Sequence, residues 1–249
     1  MRMLFAAALA ASALATPALA KPADYAAAVT TPGRAAEDLA LDTGRKPADV
    51  LDFLGLKKGM TALDAMAGEG YYSEIMARFV GARGKVIAWV PRQFIDDKTR
   101  ARLDAIQSRT GNVAIDDQPF ESFAARPNSL DFVLYHLAYH DLYWSSEKYK
   151  IPQIDPADSL KTLFAAVKPG GIVGVVDHVG PAGDTRAVVD KLHRIDPEVV
   201  KADFRRAGFE LVGESPLLRV GGDDHSKLVF DPAVRGKTDR FILKFRKPG

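Results

Sequence analysis

The sequence contains no cysteine, which excludes disulfides, thiolate metal sites and a cysteine nucleophile, and leaves stability to the apolar core alone. It also lacks an excess of one charge. There are 34 basic and 32 acidic residues; 34 less Arg2, which falls in the leader described below, leaves 33 against 32. That balance gives no reason to expect nucleic acid or an acidic membrane as partner, and a small-molecule substrate is the better expectation. Beyond residue 20 no apolar run is long enough to span a bilayer, and there is no internal repeat or low-complexity tract. The GxGxxG run of nicotinamide-dependent oxidoreductases is missing too, so that class ranks last.

What is present begins with a leader. Arg2 supplies a basic start, Leu4 to Leu14 a short apolar stretch, and Ala18-Leu19-Ala20 an A-x-A cleavage site, so residues 1–20 read as a signal peptide and the mature chain is expected to start at Lys21, in the periplasm or outside the cell. The 249 residues less 20 leave about 229, enough for one sizeable α/β domain. Residues 21–46 read as an irregular arm with one short helix, and 47–249 as the domain.

The stretch from Leu63 to Phe79 carries the most information. Thr61, Ala62 and Leu63 make a buried strand ending at Asp64, Gly68 and Gly70 permit a tight turn, and Tyr72, Ile75, Met76 and Phe79 follow at helical spacing. A strand feeding such a turn makes a ligand pocket, because glycine lets the backbone approach closely and the helix start offers unpaired N–H groups. Upstream, Pro47 opens a helix through Leu54 that Gly55 ends. Downstream come strands at Lys85 to Val90 and Val113 to Ile115, with a helix between them capped by Asp96 or Asp97. The unbroken apolar strand Leu130 to Tyr135 follows, then a helix from Asp158 to Val167, a strand from Ile172 to Val176, and a helix from Asp196-Pro197 to Ala207-Gly208. Phe209 to Glu214 and Arg240 to Phe245 close the pattern as an antiparallel pair. The expected fold is a doubly wound, mostly parallel seven-stranded α/β sheet. Two long connections, 136–157 and 215–238, are candidate lids or excursions.

Taken together, Leu63-Asp64 through Gly68-Glu69-Gly70-Tyr71, Val167-Lys168-Pro169-Gly170-Gly171 and Ala207-Gly208-Phe209 stand in the order and spacing of the class I S-adenosylmethionine-dependent methyltransferases, and the chain resembles that family over roughly residues 45 to 246. It most resembles predicted exported methyltransferases of bacteria. The resemblance implies a Rossmann-like fold, S-adenosylmethionine as cofactor, and a cofactor site at Asp64, Ala65, Gly68, Glu69, Gly70 and Asp117. Two positions depart from the family pattern. Met66 stands where a glycine is usual, and Trp89-Val90-Pro91 ends the second strand where an acid usually binds the ribose. These departures keep open an alternative, an exported ligand-binding protein that retains the fold without catalysis.

All five histidines lie in the C-terminal half. His136, His140 and His178 follow strand ends, where open α/β sheets bind ligands, and are the candidate catalytic acid–base groups. His193 is expected to cap or pack its helix. His225, with Asp223 and Asp224, reads as solvated loop, as do Arg235 and Lys237. No metal is expected in the leading reading; the alternative places one on His136 and His140 with Asp141 or Asp177-His178. Tyr135, Tyr139, Tyr143, Trp144 and Tyr149 are candidate walls of an apolar acceptor pocket, with core packing as the alternative.

Overall fold

Every apolar run expected to be a strand joins one sheet. The computed structural model describes residues 22–249, so the leader lies outside the described residues. Strands β1 (Thr61–Ala65), β2 (Lys85–Trp89), β3 (Val113–Asp116), β4 (Leu130–His136), β5 (Val167–His178), β6 (Glu210–Ser215) and β7 (Arg240–Arg246) lie in the order β3-β2-β1-β4-β5-β7-β6. The first five are parallel, and β7 runs antiparallel between β5 and β6.

Eight helices surround the sheet among the described residues: α1 (Pro22–Thr30), α2 (Ala36–Arg45), α3 (Pro47–Leu54), α4 (Tyr71–Val80), α5 (Asp97–Thr110), α6 (Pro156–Ala166), α7 (Thr185–Leu192) and α8 (Pro197–Arg206). Their boundaries follow local chemistry. Proline stands at the first turn of α3, α6 and α8, where its missing N–H costs nothing. The side chains of Asp96, Asp155, Asp184 and Asp196 accept from the first free N–H groups of α5 to α8.

The sheet divides the core into two. Along β4, Phe132 and Leu134 join the cluster beneath α1, α3, α4 and α5, while Val133 and Tyr135 join the one beneath α6 and α8. This alternation is the two-residue period of a strand covered on both faces. Each such fully buried side chain contributes roughly 1.5–3 kcal/mol relative to exposure.

Three expectations require correction. The arm is not irregular with one helix: it forms α1 and α2, because Tyr25, Ala28 and Val29 bury against the domain and Tyr25 stacks on Phe79 at 4.1 Å. The strand expected from Ile172 instead begins at Val167, so that Lys168-Pro169-Gly170-Gly171 is the bulged start of β5, drawn out by backbone bonds from Gly170 to Lys247 and from Lys247 to Gly171. Helix α7 is given no bounds by the sequence, which has only His193 capping or packing a helix, since its eight residues bury only Val189 and Leu192.

Both long connections are folded. The first contains a 3-10 turn at Tyr139–Tyr143 and a bridge between Ser146 and Ile151. The second is anchored from below by a buried ion pair. Arg194, fully buried, donates to both carboxylate oxygens of Asp223 at 2.8 and 3.0 Å and to the carbonyls of Val179 and Lys227. Asp223 is therefore not a solvated loop charge. His225 is half-buried, its Nε2 2.9 Å from Asp239.

Candidate active site

Strand order reverses between β1 and β4, and at such a switch point the two strand ends splay to leave a crevice. A cavity of about 420 Å³ fills it, within the range of ligand clefts. Asp64 and the turn Met66 to Glu69 leave β1 to form one wall, His136 to Ala138 leave β4 to form another, and Asp38, Leu41 and Arg45 of α2 close the third. The arm is thus part of the site.

Each wall has a local cause. Met66 takes φ +55, Gly68 φ +55 and Gly70 φ +85. For Met66 that left-handed conformation costs roughly 1–2 kcal/mol, which its burial in the core beneath α6 and α8 offsets. Its side chain therefore borders the cavity without filling it. A Cβ on Gly70 would lie 2.7 Å from Ile106, so glycine lets α4 start tight against α5. Tyr71 is fixed by its hydroxyl donating to Asp42 at 2.6 Å, and Asp42 in turn pairs with Arg34.

The polar groups facing the cavity are poised for a ligand. Asp64 is buried and accepts from the Ser73 hydroxyl at 2.6 Å; burial raises its carboxyl to about 7 against the opposing pull of Ser73 and Arg45. The Arg45 guanidinium sits 4.2 Å above the Tyr71 ring and has no ion-pair partner among the described residues. His136 and Tyr72, their rings 4.6 Å apart, each bury a polar atom, Nε2 and the hydroxyl, without a partner. Burial, then the charges of Arg45 and Arg240, push His136 well below its ordinary value, so it is neutral. Orphaned buried polar atoms are costly and mark a place for a polar ligand. An amino acid moiety fits these groups, with its ammonium toward Asp64 and its carboxylate toward Arg45.

The remaining cofactor candidates are placed differently. Glu69 lines the cavity and pairs with Lys98 and Arg102. Ala65 is buried in β1 and Gly70 caps α4, both behind the lining. Asp117 stands outside, half-exposed between Arg100 and Arg92. Trp89 turns into the core, donating to the carbonyl of Gln118, so Val90 and Pro91 alone line the cavity at the end of β2.

A second cavity of about 470 Å³ adjoins the first, sharing Phe94, Leu137 and Asp141. Here the histidines separate: His136 faces the first cavity, whereas His140, His178 and His193 face the second. Asp177, fully buried at the end of β5, accepts from the His140 backbone N–H at 2.9 Å and holds the ring Nδ1 at 2.8 Å. Burial alone would lower His140, but Asp177 and Asp141 outweigh it and raise it to about 9; Asp177 itself is held low. Burial raises Asp141 to about 6 and lowers His178 to about 3 and His193 to about 4. Of the aromatics, Trp144 and Tyr149 line this cavity with Phe230, while Tyr135 and Tyr139 are core and Tyr143 donates to Asp203 on α8. A metal on His136 and His140 is excluded as drawn, since one closes β4 and the other lies in the following 3-10 turn, facing different cavities. His193, read as a cap, is one, in the left-handed conformation; it also faces the cavity, which only tertiary structure reveals.

The fold has known counterparts. An S-adenosylmethionine-dependent methyltransferase from Aquifex aeolicus superposes with TM-score 0.58 at 19% identity, over 91% of this chain and 98% of the other. One from Mesorhizobium loti gives 0.57 at 14%, over 83% and 100%. The chain has the class I methyltransferase fold. A family model for protein-L-isoaspartate(D-aspartate) O-methyltransferase matches residues 37–117 of this methyltransferase fold, which is the segment building the first cavity from α2 to β3. The family and most structural matches are class I methyltransferases, whose cofactor is S-adenosylmethionine. The [4+2]-cyclase SpnF also superposes, with TM-score 0.56 at 19% identity over 88% and 85%. No curated protein matches the sequence.

Proposed function

We propose that this protein is an exported S-adenosylmethionine-dependent methyltransferase acting on a small-molecule acceptor. The carrying observation is the first cavity: Asp64 and Arg45 offer opposite charges to an amino acid moiety, and the buried, unpaired His136 Nε2 and Tyr72 hydroxyl await polar atoms. Asp64, Gly68 and Glu69 line the donor side, with Gly70 setting the start of α4.

When bound, the donor supplies an electrophilic methyl group on a sulfonium. The chain's own tasks are to place an acceptor in line and to exclude water. The second cavity adjoins the first, sharing Phe94, Leu137 and Asp141, and Trp144, Tyr149, Val229 and Phe230 add apolar lining, so the acceptor enters there. An acceptor hydroxyl or amine must give up a proton, and His140, His178 and Asp141 are the groups facing it. Asp177 is a positioning residue, fixing the His140 ring by Nδ1 and leaving Nε2 on the side of Asp141.

One observation favours a second reading, a ligand-binding protein without turnover: no carboxylate ends β2, where Val90 and Pro91 form the wall. The superposition of a [4+2]-cyclase likewise shows that this fold does not dictate methyl transfer. Calorimetric titration of the mature protein with S-adenosylmethionine and S-adenosylhomocysteine separates these readings. Saturable binding that Asp64→Ala removes, with folding retained, supports the donor site; absence of binding by the folded protein refutes it. The export part predicts a mature N-terminus at Lys21 in protein recovered from the cell envelope or medium.

A further inference from the structure

The second cavity holds a constellation that acid–base chemistry alone leaves unexplained. His140, Asp141 and His193 present ligand atoms that all lie within 4.8 Å of one another. His140 Nε2 stands 3.4 Å from Asp141 Oδ1, and His193 Nδ1 stands 3.9 Å from the same oxygen. Ligands of a four-coordinate ion at about 2.0–2.2 Å are separated by somewhat over 3 Å, so the first pair is already at ligand spacing and His193 needs a side-chain adjustment of about an ångström.

Two independent features point the same way. The His140 side chain is 5% exposed, yet its Nε2 makes no hydrogen bond, while Nδ1 is fixed by the fully buried Asp177. A carboxylate holding the far nitrogen of an imidazole is the usual outer support of a metal-bound histidine. Secondly, His193 closes α7 at φ 48 and ψ 49, a position where glycine has no Cβ to strain and asparagine is better tolerated than histidine. That conformation turns its ring toward Asp141, between the rings of His140 and Trp144 at 5.6 and 5.3 Å.

We infer that His140, Asp141 and His193 bind a divalent transition-metal ion whose open coordination positions face the second cavity, and that the acceptor is an aromatic compound bearing a hydroxyl. Two imidazoles and one carboxylate suit zinc, iron or cobalt rather than magnesium or calcium, which prefer all-oxygen sets. Three protein ligands leave at least one position for water or substrate. The cavity around that position is walled by Trp144, Tyr149, Phe230 and Leu137, which suits a flat ring with one polar end directed at the ion. A hydroxyl there is acidified by the ion, so its proton is lost to solvent before methylation. The assignment of the acceptor rests on the proposed methyl transfer; the metal site does not.

Full-length mature protein, stripped with chelator, is titrated with Co(II) while its visible ligand-field bands are recorded. We expect stoichiometric binding with the intense bands of a low-coordinate site, weakened at least about tenfold in Asp141→Asn and His193→Gly and unchanged in His225→Ala. His193→Gly keeps the left-handed cap, so it removes the imidazole without a folding penalty. Absence of the bands in the wild type, or unchanged affinity in His193→Gly, overturns the metal site. Donor titration of the stripped protein is run in parallel. Cobalt binding without donor binding upholds the metal site and refutes methyl transfer, whereas donor binding without cobalt binding does the reverse. A catechol added to the cobalt protein should shift the bands; no shift overturns the acceptor class.

Discussion

The two cavities sit side by side but are made in different ways. The first is built by a nearly continuous segment, from Asp38 to Phe94, with only the end of β4 brought from afar. The second is assembled from pieces far apart: His140 reaches Asp177 across 37 residues, and Arg194 reaches Asp223 across 29. The family match takes in the part of the first cavity built from Asp38 to Phe94 and stops at residue 117. A common cofactor can be held by one transferable segment, while an acceptor site must be shaped by contacts particular to the chain.

Breaking one region should spare the other. The largest effect is expected from Arg194→Ala. It leaves Asp223 buried without its partner and should destabilise the fold by about 3–5 kcal/mol in denaturant unfolding. Donor affinity at temperatures where the variant stays folded should be unchanged. Next, Asp177→Asn should lower turnover by about 10–100-fold while leaving donor binding intact, as steady-state kinetics beside calorimetry would show. On the other side, Gly70→Ala forces a Cβ against Ile106 at φ +85 and should cost about 1–3 kcal/mol, weakening the donor and not Co(II).

The smallest effect sharpens the comparison through pH. Asp64, raised to about 7, is neutral below that value and charged above it in the free protein. Affinity for a cationic amino group therefore rises with pH through about 7 and falls by up to about tenfold per unit below it. Asp64→Asn should flatten that profile. Folding stability has the opposite sign: a carboxyl raised in the folded state binds its proton more tightly there, so this contribution is present at low pH and is lost as pH rises toward about 7.

The sheet was legible because its central strands are short apolar runs bounded by glycine, proline or aspartate, as strands covered on both faces must be. The wall of the first cavity that leaves β1 was legible too, since Asp64, Gly68 and Glu69 are neighbours in the chain. The wall of the second cavity was not. Nothing around Asp223 separates a solvated aspartate from the buried partner of Arg194, and a short helix with two buried residues, α7, has too little periodicity to be seen. His193 reads as capping or packing a helix, and its place in the cavity depends on contacts between distant segments. The arm's alanines pointed to helix, but that Arg45 would lie over Tyr71 depends on packing that no local pattern encodes.

The position of β7 has a consequence for how the molecule comes into being. This last strand lies between β5 and β6 and bonds to both. Until Arg240 to Arg246 leave the ribosome, β5 presents an open edge and β6 has no neighbour, so the nascent chain cannot close its sheet. Synthesis thus proceeds with the final architecture withheld until nearly the whole polypeptide exists. The proposed export calls for a threadable chain, and this delay in the topology would serve it.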